Sequence, residues 1–500
     1  MNILIENKRG VLALLSAGML LALSACGDGG ATGGANAVSM KATPTPVSRQ
    51  SVMPKVEPES PEGFFNVECT LSHTLSDDPI LMYGRPGEAM VHDFFGNIHA
   101  DAFTTVDKLL AQPQTTCTST ADGSSYWVPQ MRRKSTGEII KPDHMKAYYR
   151  NQDTRYPVEP FPKGLQLLVG DHHGTQSKQG VLYFCKTSES GGSYYADPPE
   201  SCPLYDGKQA QFNITLNFPN CWDGKRLNPG KSGPRNAAYS ANGACPAEYP
   251  VKIPQIQMNV GYVLPGNGNI SDMELSMNPD MQGSVAIPVW GNLYTAHGDF
   301  FNGWRADTID FMTEFCLNRG VLCDKNIPVV NALPADDAYV RGGAYADTNY
   351  GSDKQMLSQE GSAANPDETK VAYVKFKLPD EETLKNAPYK DVVLRFRGMN
   401  QTAKKAYGVR FYEASPDWDE KTITQKNAPK CGGKNSVWAW ISSPEKFIYR
   451  NSESVAQIVD AARKREDRTV SLCMMVSGSD NQETMLGTKE SGSPVVLFFK

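Results

Sequence analysis

Residues 91–97 read VHDFFGN, and residues 297–304 read HGDFFNGW. Each stretch sets a histidine and an aspartate beside two phenylalanines and a turn of Gly and Asn. Such a group can form a functional site, because apolar neighbours exclude water and shift the pKa of an ionisable pair. The structural alternative is that each Phe-Phe pair belongs to a core and each His-Asp pair lies in a satisfied turn. Because the pattern occurs twice, both interpretations stay open.

The histidines are confined to one part of the chain. All seven lie at or before residue 297: His73, His92, His99, His144, His172, His173 and His297. Any histidine chemistry therefore belongs to the first part of the protein. The second domain, residues 336–500, is predicted to be a binding or packing module.

Acid–base cleavage of a glycosidic bond is the first chemistry that these stretches suggest. It needs two carboxyl groups, one protonated and one ionised, on either side of the bond. The predicted catalytic acids are Asp93, Asp223 and Asp299, each with an aromatic neighbour that could desolvate it or stack on a sugar. The histidines that could orient the substrate or relay protons are His92, His172 and His297.

Four further side chains are predicted to bind the substrate: Trp127, Trp222, Trp304 and Arg85. The structural alternative for residues 221–224 (CWDG) is a turn pinned by a disulfide, with Trp222 in the core. No Gly-x-Ser-x-Gly elbow and no phosphate loop is evident, so serine esterase and nucleotide chemistry are disfavoured.

Metal binding is the second chemistry that the residues allow. His92, His297 and Asp299 could bind an ion together with one of Asp171, His172 or His173. In a strand, His297 and Asp299 would point the same way, whereas the adjacent His92 and Asp93 would not.

Residues 62–328 are predicted to form a loop-rich, mostly β domain. Short apolar or alternating runs at 165–169, 181–184, 214–218 and 256–260 are typical of strands. Residues 308–316 could form a short helix. We expect a β-sandwich with long loops.

The motifs of this region follow a recognisable order. They are Cys69 with His73, DDPI (77–80), GRPG (84–87), HDFFGN (92–97), YWVP (126–129), PFP (160–162), FPNCWDG (218–224) and HGDFFNGW (297–304). This order resembles the secreted family known as domain of unknown function nineteen-ninety-six, which in fungi often stands beside WSC carbohydrate-binding domains. The resemblance implies a shared fold and secretion, and leaves the reaction open. Members often carry a histidine after the CWDG motif. Residues 233–240 contain none, so a site that used it would be altered here.

Residues 336–500 are predicted to form a second, antiparallel β-sandwich. Runs at 371–378, 392–397, 408–412, 470–475 and 495–499 indicate strands, and residues 452–465 indicate a helix. The ordered motifs at 336–341, 345–351, 372–376, 418–424 and 427–429 resemble a DNRLRE-type, alginate-binding-like carbohydrate-binding module. The resemblance implies a jelly-roll sandwich that contacts polysaccharide, although the segment 488–491 departs from the family pattern. The alternative is a domain that only stiffens or spaces the protein.

A structural calcium ion is a further prediction for this second domain, and no other cofactor is expected to be required. Asp347 and Asn349 could hold the ion through their side-chain oxygens. They could equally stabilise a turn.

The cysteines support two separately closed domains. Of eleven, Cys26 is assigned to a lipid, which leaves eight between residues 69 and 323 and two later ones. Both groups are even, as expected for disulfides in an oxidising compartment. We predict the pairs Cys316–Cys323 and Cys431–Cys473, and leave the others open. The lack of a Cys-x-x-Cys motif disfavours a zinc site built from cysteine.

The N-terminus predicts export and a lipid anchor. Lys8 and Arg9 precede an apolar run at 11–23 that is too short to span a bilayer. Residues 23–26 (LSAC) resemble a bacterial lipobox, which implies a signal peptide over 1–25 and a lipid on Cys26. An ordinary signal peptide is the alternative. We expect a protein of the bacterial cell envelope, held by its lipid at the outer membrane or cell surface.

The composition of residues 26–61 and the net charge of the chain are consistent with a tethered extracytoplasmic protein. Residues 26–61 are rich in Gly, Ala, Ser, Thr and Pro, and predict a flexible tether. The net charge of −5 and the lack of a block of Lys and Arg argue against a nucleic-acid partner.

Together these features predict an envelope-anchored carbohydrate-active protein that degrades polysaccharide. The second domain would hold the glycan and raise its concentration near the first. A non-enzymatic glycan-binding or adhesion lipoprotein is the alternative. The enzyme hypothesis requires Asp93 and Asp299 to face one shared groove.

Overall fold

The computed structural model describes residues 61–500, except 190, 266–267, 284, 325, 400–405, 442–446, 478–482 and 492. The predicted signal peptide, the predicted lipidation site at Cys26 and nearly all of the predicted tether lie outside the described residues. No described helix is long and apolar enough to cross a membrane.

Short strands make up most of the first domain. They are β1 (Gly63–Cys69), β2 (Leu71–Leu75), β3 (His92–Gly96), β4 (Ser125–Pro129), β5 (Met131–Arg133), β6 (Ile139–Ile140), β7 (His144–Asn151), β8 (Gln166–Gly170), β9 (Val181–Ser188), β10 (Gly191–Tyr195), β11 (Gln209–Asn217), β12 (Cys221–Trp222), β13 (Ala237–Ala238), β14 (Val251–Lys252), β15 (Gln255–Pro265), β16 (Met273–Gln282), β17 (Val285–Gly291), β18 (His297–Phe301) and β19 (Leu322–Asp324). Its helices are α1 (Val106–Ala111), α2 (Ala306–Phe315) and the 3-10 turns Leu293–Thr295 and Leu317–Arg319.

The second domain is built in the same way. Its strands are β20 (Val330–Ala332), β21 (Pro334–Arg341), β22 (Gln355–Ser358), β23 (Lys370–Lys377), β24 (Val392–Met399), β25 (Tyr407–Glu413), β26 (Ser436–Ile441), β27 (Phe447–Arg450), β28 (Thr469–Ser477), β29 (Thr484–Gly487) and β30 (Val496–Phe499). Its helices are α3 (Glu381–Asn386), α4 (Glu453–Arg463) and the 3-10 turns Gly343–Tyr345, Pro366–Glu368 and Lys489–Ser491.

Two large sheets organise the first domain. One has seven strands in the order β10-β9-β11-β15-β7-β1-β19, and the other has five in the order β2-β3-β4-β18-β8. Smaller sheets, β17-β16-β5-β6 and β13-β12-β14, border them. The predicted strands and the predicted helix at 308–316 all fall on observed elements, whose ends differ from the predicted ones by up to five residues.

Each of the two echoing stretches forms a strand of the five-stranded sheet. Alternate residues of a strand face opposite sides. Phe95 and Phe300 therefore enter the main core of the domain, whereas Phe94 and Phe301 enter a smaller cluster with Trp127. Each Phe-Phe pair is thus shared between two packed layers, as the structural alternative requires, and the His and Asp positions fall on defined faces.

The second domain is a sandwich of a six-stranded and a five-stranded sheet. Ser452 directly precedes helix α4, and its side chain caps the helix by accepting a hydrogen bond from Val455 N at 3.4 Å. Val455, Ile458, Val459 and Ala462 recur at helical spacing and are buried. Strand β20 begins this sandwich at Val330, before the predicted start at residue 336.

All ten cysteines between residues 69 and 473 form disulfides. Both predicted pairs, Cys316–Cys323 and Cys431–Cys473, are confirmed. The other three are Cys69–Cys117, Cys185–Cys202 and Cys221–Cys245. None of these five disulfides crosses from one domain to the other, so each domain closes its own set, as the even counts predict.

A cation buried between the domains joins them. Arg395 on β24 is 1% exposed and donates a hydrogen bond from Nη2 to the carbonyl oxygen of Phe315, at the end of α2, at 2.8 Å. Its guanidinium carbon lies 3.6 Å from the ring centre of Phe447. Phe498 on β30 packs against Phe311 on α2. The second domain is therefore packed directly against the first, and the described residues of both domains belong to one compact unit.

Candidate functional site

The five-stranded sheet brings His92, His297 and Asp299 to one face. Strand β4 pairs with β3 on one side and with β18 on the other. Trp127 of β4 lies opposite both Phe94 and Asp299 in the two registers. His92 and His297 occupy the next positions along their strands on that same face, because each is two residues away. Two short strands thus bring together residues that are far apart in the chain.

Gly170 has no side chain and so makes room for His297 on the neighbouring strand. Gly170 of β8 pairs with His297 and has φ = +87°, a conformation that favours glycine. A Cβ atom at this position would come within 2.6 Å of the Cα of His297. Strand β8 can therefore approach the histidine closely.

The three side chains meet at their functional atoms. The Nε2 atoms of His92 and His297 are 3.5 Å apart. One Asp299 carboxylate oxygen lies with them in a group whose atoms are all within 4.8 Å of one another. Asp299 is 2% exposed, and its Oδ2 has no hydrogen-bond partner among the described residues. Two nitrogens and one carboxylate oxygen can bind a metal ion.

Backbone carbonyls orient both imidazole rings. His92 Nδ1 lies 2.9 Å from the carbonyl oxygen of Asp77, and His297 Nδ1 lies 2.8 Å from that of Thr295. A carbonyl oxygen only accepts, so each Nδ1 carries a proton and donates it. In a neutral ring the other nitrogen then has a free lone pair. The two Nε2 atoms therefore face each other as two acceptors.

The DDPI motif fixes the first of these carbonyls. The Asp77 carboxylate accepts hydrogen bonds from Gly87 N and Ala102 N, each at 2.9 Å. Asp78 Oδ1 accepts from the backbone N–H groups of Ile80 and Leu81, also at 2.9 Å. These contacts hold the loop before β3 against the site, and place Asp78 near the histidines.

A cavity of about 390 Å³ opens beside this centre. Its lining includes ionisable side chains from five separate loops or strands, namely Asp78, His92, His172, Lys178, Lys231, Arg235, His297 and Asp299. The His172 ring centre is 6.1 Å from that of His297. A cavity of this size can hold a sugar unit with the central groups at its wall.

Burial controls the charge of the centre. It lowers the pKa of His92 to about 4, and burial together with repulsion from His92 lowers the pKa of His297 to about 3. Both rings are therefore neutral near pH 7. Burial raises the pKa of Asp299 well above its usual range, and the neighbouring Asp78 raises it further. Such shifts are typical of functional sites.

Comparison with family models identifies both domains. Residues 78–304 match the family described as domain of unknown function (DUF1996). Residues 328–500 match carbohydrate-binding module family 96. The chain joins a DUF1996 domain to a family 96 module. No curated protein matches it. The match to family 96 supports glycan binding, and the DUF1996 family has no known function.

Asp93 does not share the groove of the DUF1996 domain with Asp299, contrary to prediction. It follows His92 in the strand, so it points to the opposite face and is 1% exposed. Its Oδ1 accepts hydrogen bonds from Thr74 Oγ1 at 2.7 Å and from Gln130 Nε2 at 3.4 Å. The shared-groove prediction is wrong, and the enzyme hypothesis fails in the two-carboxylate form that required it. Any catalysis in this cavity has to use the centre formed by His92, His297 and Asp299 instead.

Asp223 and Trp222 also lie outside the cavity. Asp223 accepts hydrogen bonds from Lys225 N and Arg226 N at 2.9 Å, and pairs with the Arg226 guanidinium at 2.7 Å. Burial opposes ionisation, but the contacts with Arg226 dominate and lower the pKa of Asp223. Trp222 Nε1 donates to the Arg226 carbonyl at 2.8 Å. Residues 221–224 therefore form a turn held by the Cys221–Cys245 disulfide, which is the structural alternative to a catalytic role.

The other three predicted substrate-binding residues have structural environments. Trp127 is 0% and Trp304 3% exposed, so neither can stack on a sugar. Trp304 Nε1 donates a hydrogen bond to the hydroxyl of Tyr149 at 2.9 Å in the core. Arg85 is exposed and pairs with Glu88 instead of lining the cavity.

Sequence reasoning overlooked Asp78, Lys231 and Arg235. Asp78 belongs to the DDPI motif, which supports the family resemblance but gives no sign of a chemical role. Lys231 and Arg235 belong to the loop that follows CWDG, where the family often has a histidine. That departure was a usable signal that this loop borders the site. His172, named in the metal hypothesis, does line the cavity.

The family 96 module exposes aromatic side chains on an edge strand. Trp440 on β26 is 56% exposed, and its ring centre is 5.5 Å from that of Trp438. Asp347 and Asn349, the residues predicted to hold calcium, have other partners. Asp347 pairs with Lys426 at 2.7 Å, and Asn349 Nδ2 donates to backbone carbonyls. A calcium ion in this domain stays a prediction.

Proposed function

We propose that this protein cleaves an acidic polysaccharide in the cavity of its DUF1996 domain, while the family 96 module retains the glycan chain. One observation supports this most strongly. His92, His297 and Asp299 converge at the wall of a sugar-sized cavity, in a protein that also carries a carbohydrate-binding module. A pure binding site would not need the buried, unpartnered carboxylate oxygen Asp299 Oδ2 at its base, because such an atom costs stability.

The cationic rim of the cavity favours an acidic sugar. Lys231 and Arg235 line it, and the guanidinium of arginine matches the geometry of a carboxylate. Lys178, the third cation of the lining, is paired with Asp171 at 3.2 Å. A uronate unit would present its carboxylate to these groups and its glycosidic bond to the centre.

The packed domain contact supports a shared substrate. Because Arg395 and the phenylalanines around it join the two domains directly, the module stays near the cavity. A chain held by the module is then presented to the cavity at a raised local concentration.

The test is product release from a panel of glycans. Purified protein is incubated with polygalacturonate, alginate and hyaluronan, and with neutral β-glucan as the control. New reducing ends from an acidic glycan are the expected result. Unsaturated ends, which absorb ultraviolet light, would identify elimination, and their absence would identify hydrolysis. Retention of glycan without release of ends from any polymer would instead establish the alternative, a glycan-binding lipoprotein.

We also propose that the protein is exported and held in the cell envelope by a lipid on Cys26. The lipobox-like sequence at residues 23–26 supports this. Fatty-acid labelling of cells that produce the protein is expected to mark the wild type and not Cys26→Ser. Labelling of both, or of neither, would contradict the anchor.

A further inference from the structure

We propose that His92, His297 and Asp299 bind one divalent transition-metal ion of the Zn²⁺ type, with an open coordination position facing the cavity. The inference concerns the same centre as the proposed function. It does not require that the protein cleave a glycan, because a bound ion can be measured directly.

The spacing of the two nitrogens fits a shared ion. A tetrahedral zinc ion binds histidine nitrogen at about 2.0–2.1 Å, which places two such nitrogens about 3.3–3.4 Å apart. The two Nε2 atoms are 3.5 Å apart. The donor atoms are therefore almost at the separation that one ion would impose.

The hydrogen bonds of the two rings leave this contact without an explanation as long as both rings are neutral. Each Nδ1 donates to a carbonyl, of Asp77 or of Thr295. Two neutral rings in this tautomer cannot hydrogen-bond to each other through Nε2, since both atoms are acceptors. A metal ion accepts both lone pairs. An imidazole that binds a metal commonly donates its other N–H to a carbonyl or carboxylate, as both rings do here.

The carboxylate of Asp299 completes the donor set. Its Oδ2 is buried and has no hydrogen-bond partner among the described residues, which is costly in the absence of a cation. Two imidazole nitrogens and one carboxylate give three protein ligands, and a fourth position can open toward the cavity. Three ligands with an open position are typical of catalytic rather than structural zinc sites.

The donor types select the class of metal. Calcium and magnesium prefer sites made of oxygen atoms, so two nitrogens of three donors disfavour them. Imidazole with carboxylate suits zinc and other divalent first-row ions. No cysteine is available to the centre, because the cysteines of the described chain are in disulfides.

The test is metal binding by the full chain. Protein stripped with a chelator is titrated with Co²⁺, whose visible spectrum reports coordination, and with Zn²⁺ in a calorimeter. The wild type is expected to bind one equivalent. His297→Gln and Asp299→Asn are expected to weaken binding by roughly 100-fold or more, since even partners of the ligands contribute 10- to 100-fold. The exposed His99→Gln is the matched control, and binds as the wild type does.

A second measurement does not depend on how the variants fold. X-ray absorption of the zinc-loaded wild type is expected to show scattering from two imidazole rings. A spectrum without imidazole, or equal affinity in the wild type and in folded His297→Gln, overturns the proposal and leaves a histidine pair that shares a proton. Metal binding without glycan cleavage would refute the proposed function alone. Glycan cleavage by a protein whose centre binds no Co²⁺ would refute the metal site alone.

Discussion

Replacement of Asp122 by Asn should change how the stability of the protein depends on pH. Asp122 is 0% exposed and accepts a hydrogen bond from the hydroxyl of Tyr126 at 2.6 Å. That hydroxyl contacts Tyr149, which accepts from Trp304. This chain of hydrogen bonds explains why Trp304 lies in the core instead of in a sugar site. It also places a carboxyl where burial penalises its charge.

The magnitude follows from the pKa. Burial raises the pKa of Asp122 from 3.8 to about 6. The native state therefore binds a proton more tightly than the unfolded state, and the free energy of unfolding falls as the pH rises between these two values. At about 1.36 kcal/mol for each pH unit, the loss is about 3 kcal/mol. Asn cannot ionise, so Asp122→Asn should not show this loss, although a reversed hydrogen bond could cost about 1 kcal/mol at every pH.

The assay is urea unfolding with the disulfides intact, at pH values from about 4 to about 8. Relative to the wild type, Asp122→Asn should gain about 2.4 kcal/mol between the two ends of this range, because about 0.6 kcal/mol of the loss has already occurred at pH 4. The exposed Asp417→Asn serves as the control and should run parallel to the wild type. If the curve of Asp122→Asn also runs parallel to that of the wild type, Asp122 is not a buried carboxyl with a raised pKa, and the reasoning is refuted.

Three further outcomes test the surfaces and contacts described above. Arg235→Gln should raise KM for the acidic glycan roughly tenfold, because a charge-assisted hydrogen bond is lost, and should change kcat less. Lys178→Gln should change KM little, because Lys178 is already paired with Asp171. Arg395→Ala should lower the free energy of unfolding by roughly 2–4 kcal/mol, measured by urea unfolding, because it leaves a carbonyl of α2 without its donor. Trp440→Ala should weaken retention on immobilised polysaccharide by roughly 1 kcal/mol or more, because exposed aromatic area is lost. The control Tyr345→Ala should be retained as the wild type is. Equal retention of the two variants would place the glycan contact elsewhere on the module.

The strand period explains which parts of the site could be predicted. Residues two apart in a strand share a face, so the sequence correctly placed His297 with Asp299 and separated His92 from Asp93. Local alternation does not reveal which strand lies between two distant ones. Only the position of β4 between β3 and β18 shows that the two histidines meet.

Burial explains which parts could not be predicted. An aromatic beside an acid looks the same in sequence whether it lines a cleft or fills a core, and Trp127 and Trp304 fill the core. The Asp223 turn looks the same until its partner Arg226 is placed. Disulfides were more predictable, since short separation and even counts within each domain restricted the pairing of Cys316 with Cys323 and Cys431 with Cys473.

The central claim is that chemistry occurs on the face of the five-stranded sheet that carries Asp299, and not on the face that carries Asp93. The most direct measurement compares product release from the acidic glycan by Asp299→Asn and Asp93→Asn, two identical substitutions on opposite faces. We predict that Asp299→Asn releases no new ends and that Asp93→Asn releases them at close to the wild-type rate. Activity in Asp299→Asn, with loss in a folded Asp93→Asn, would contradict the account.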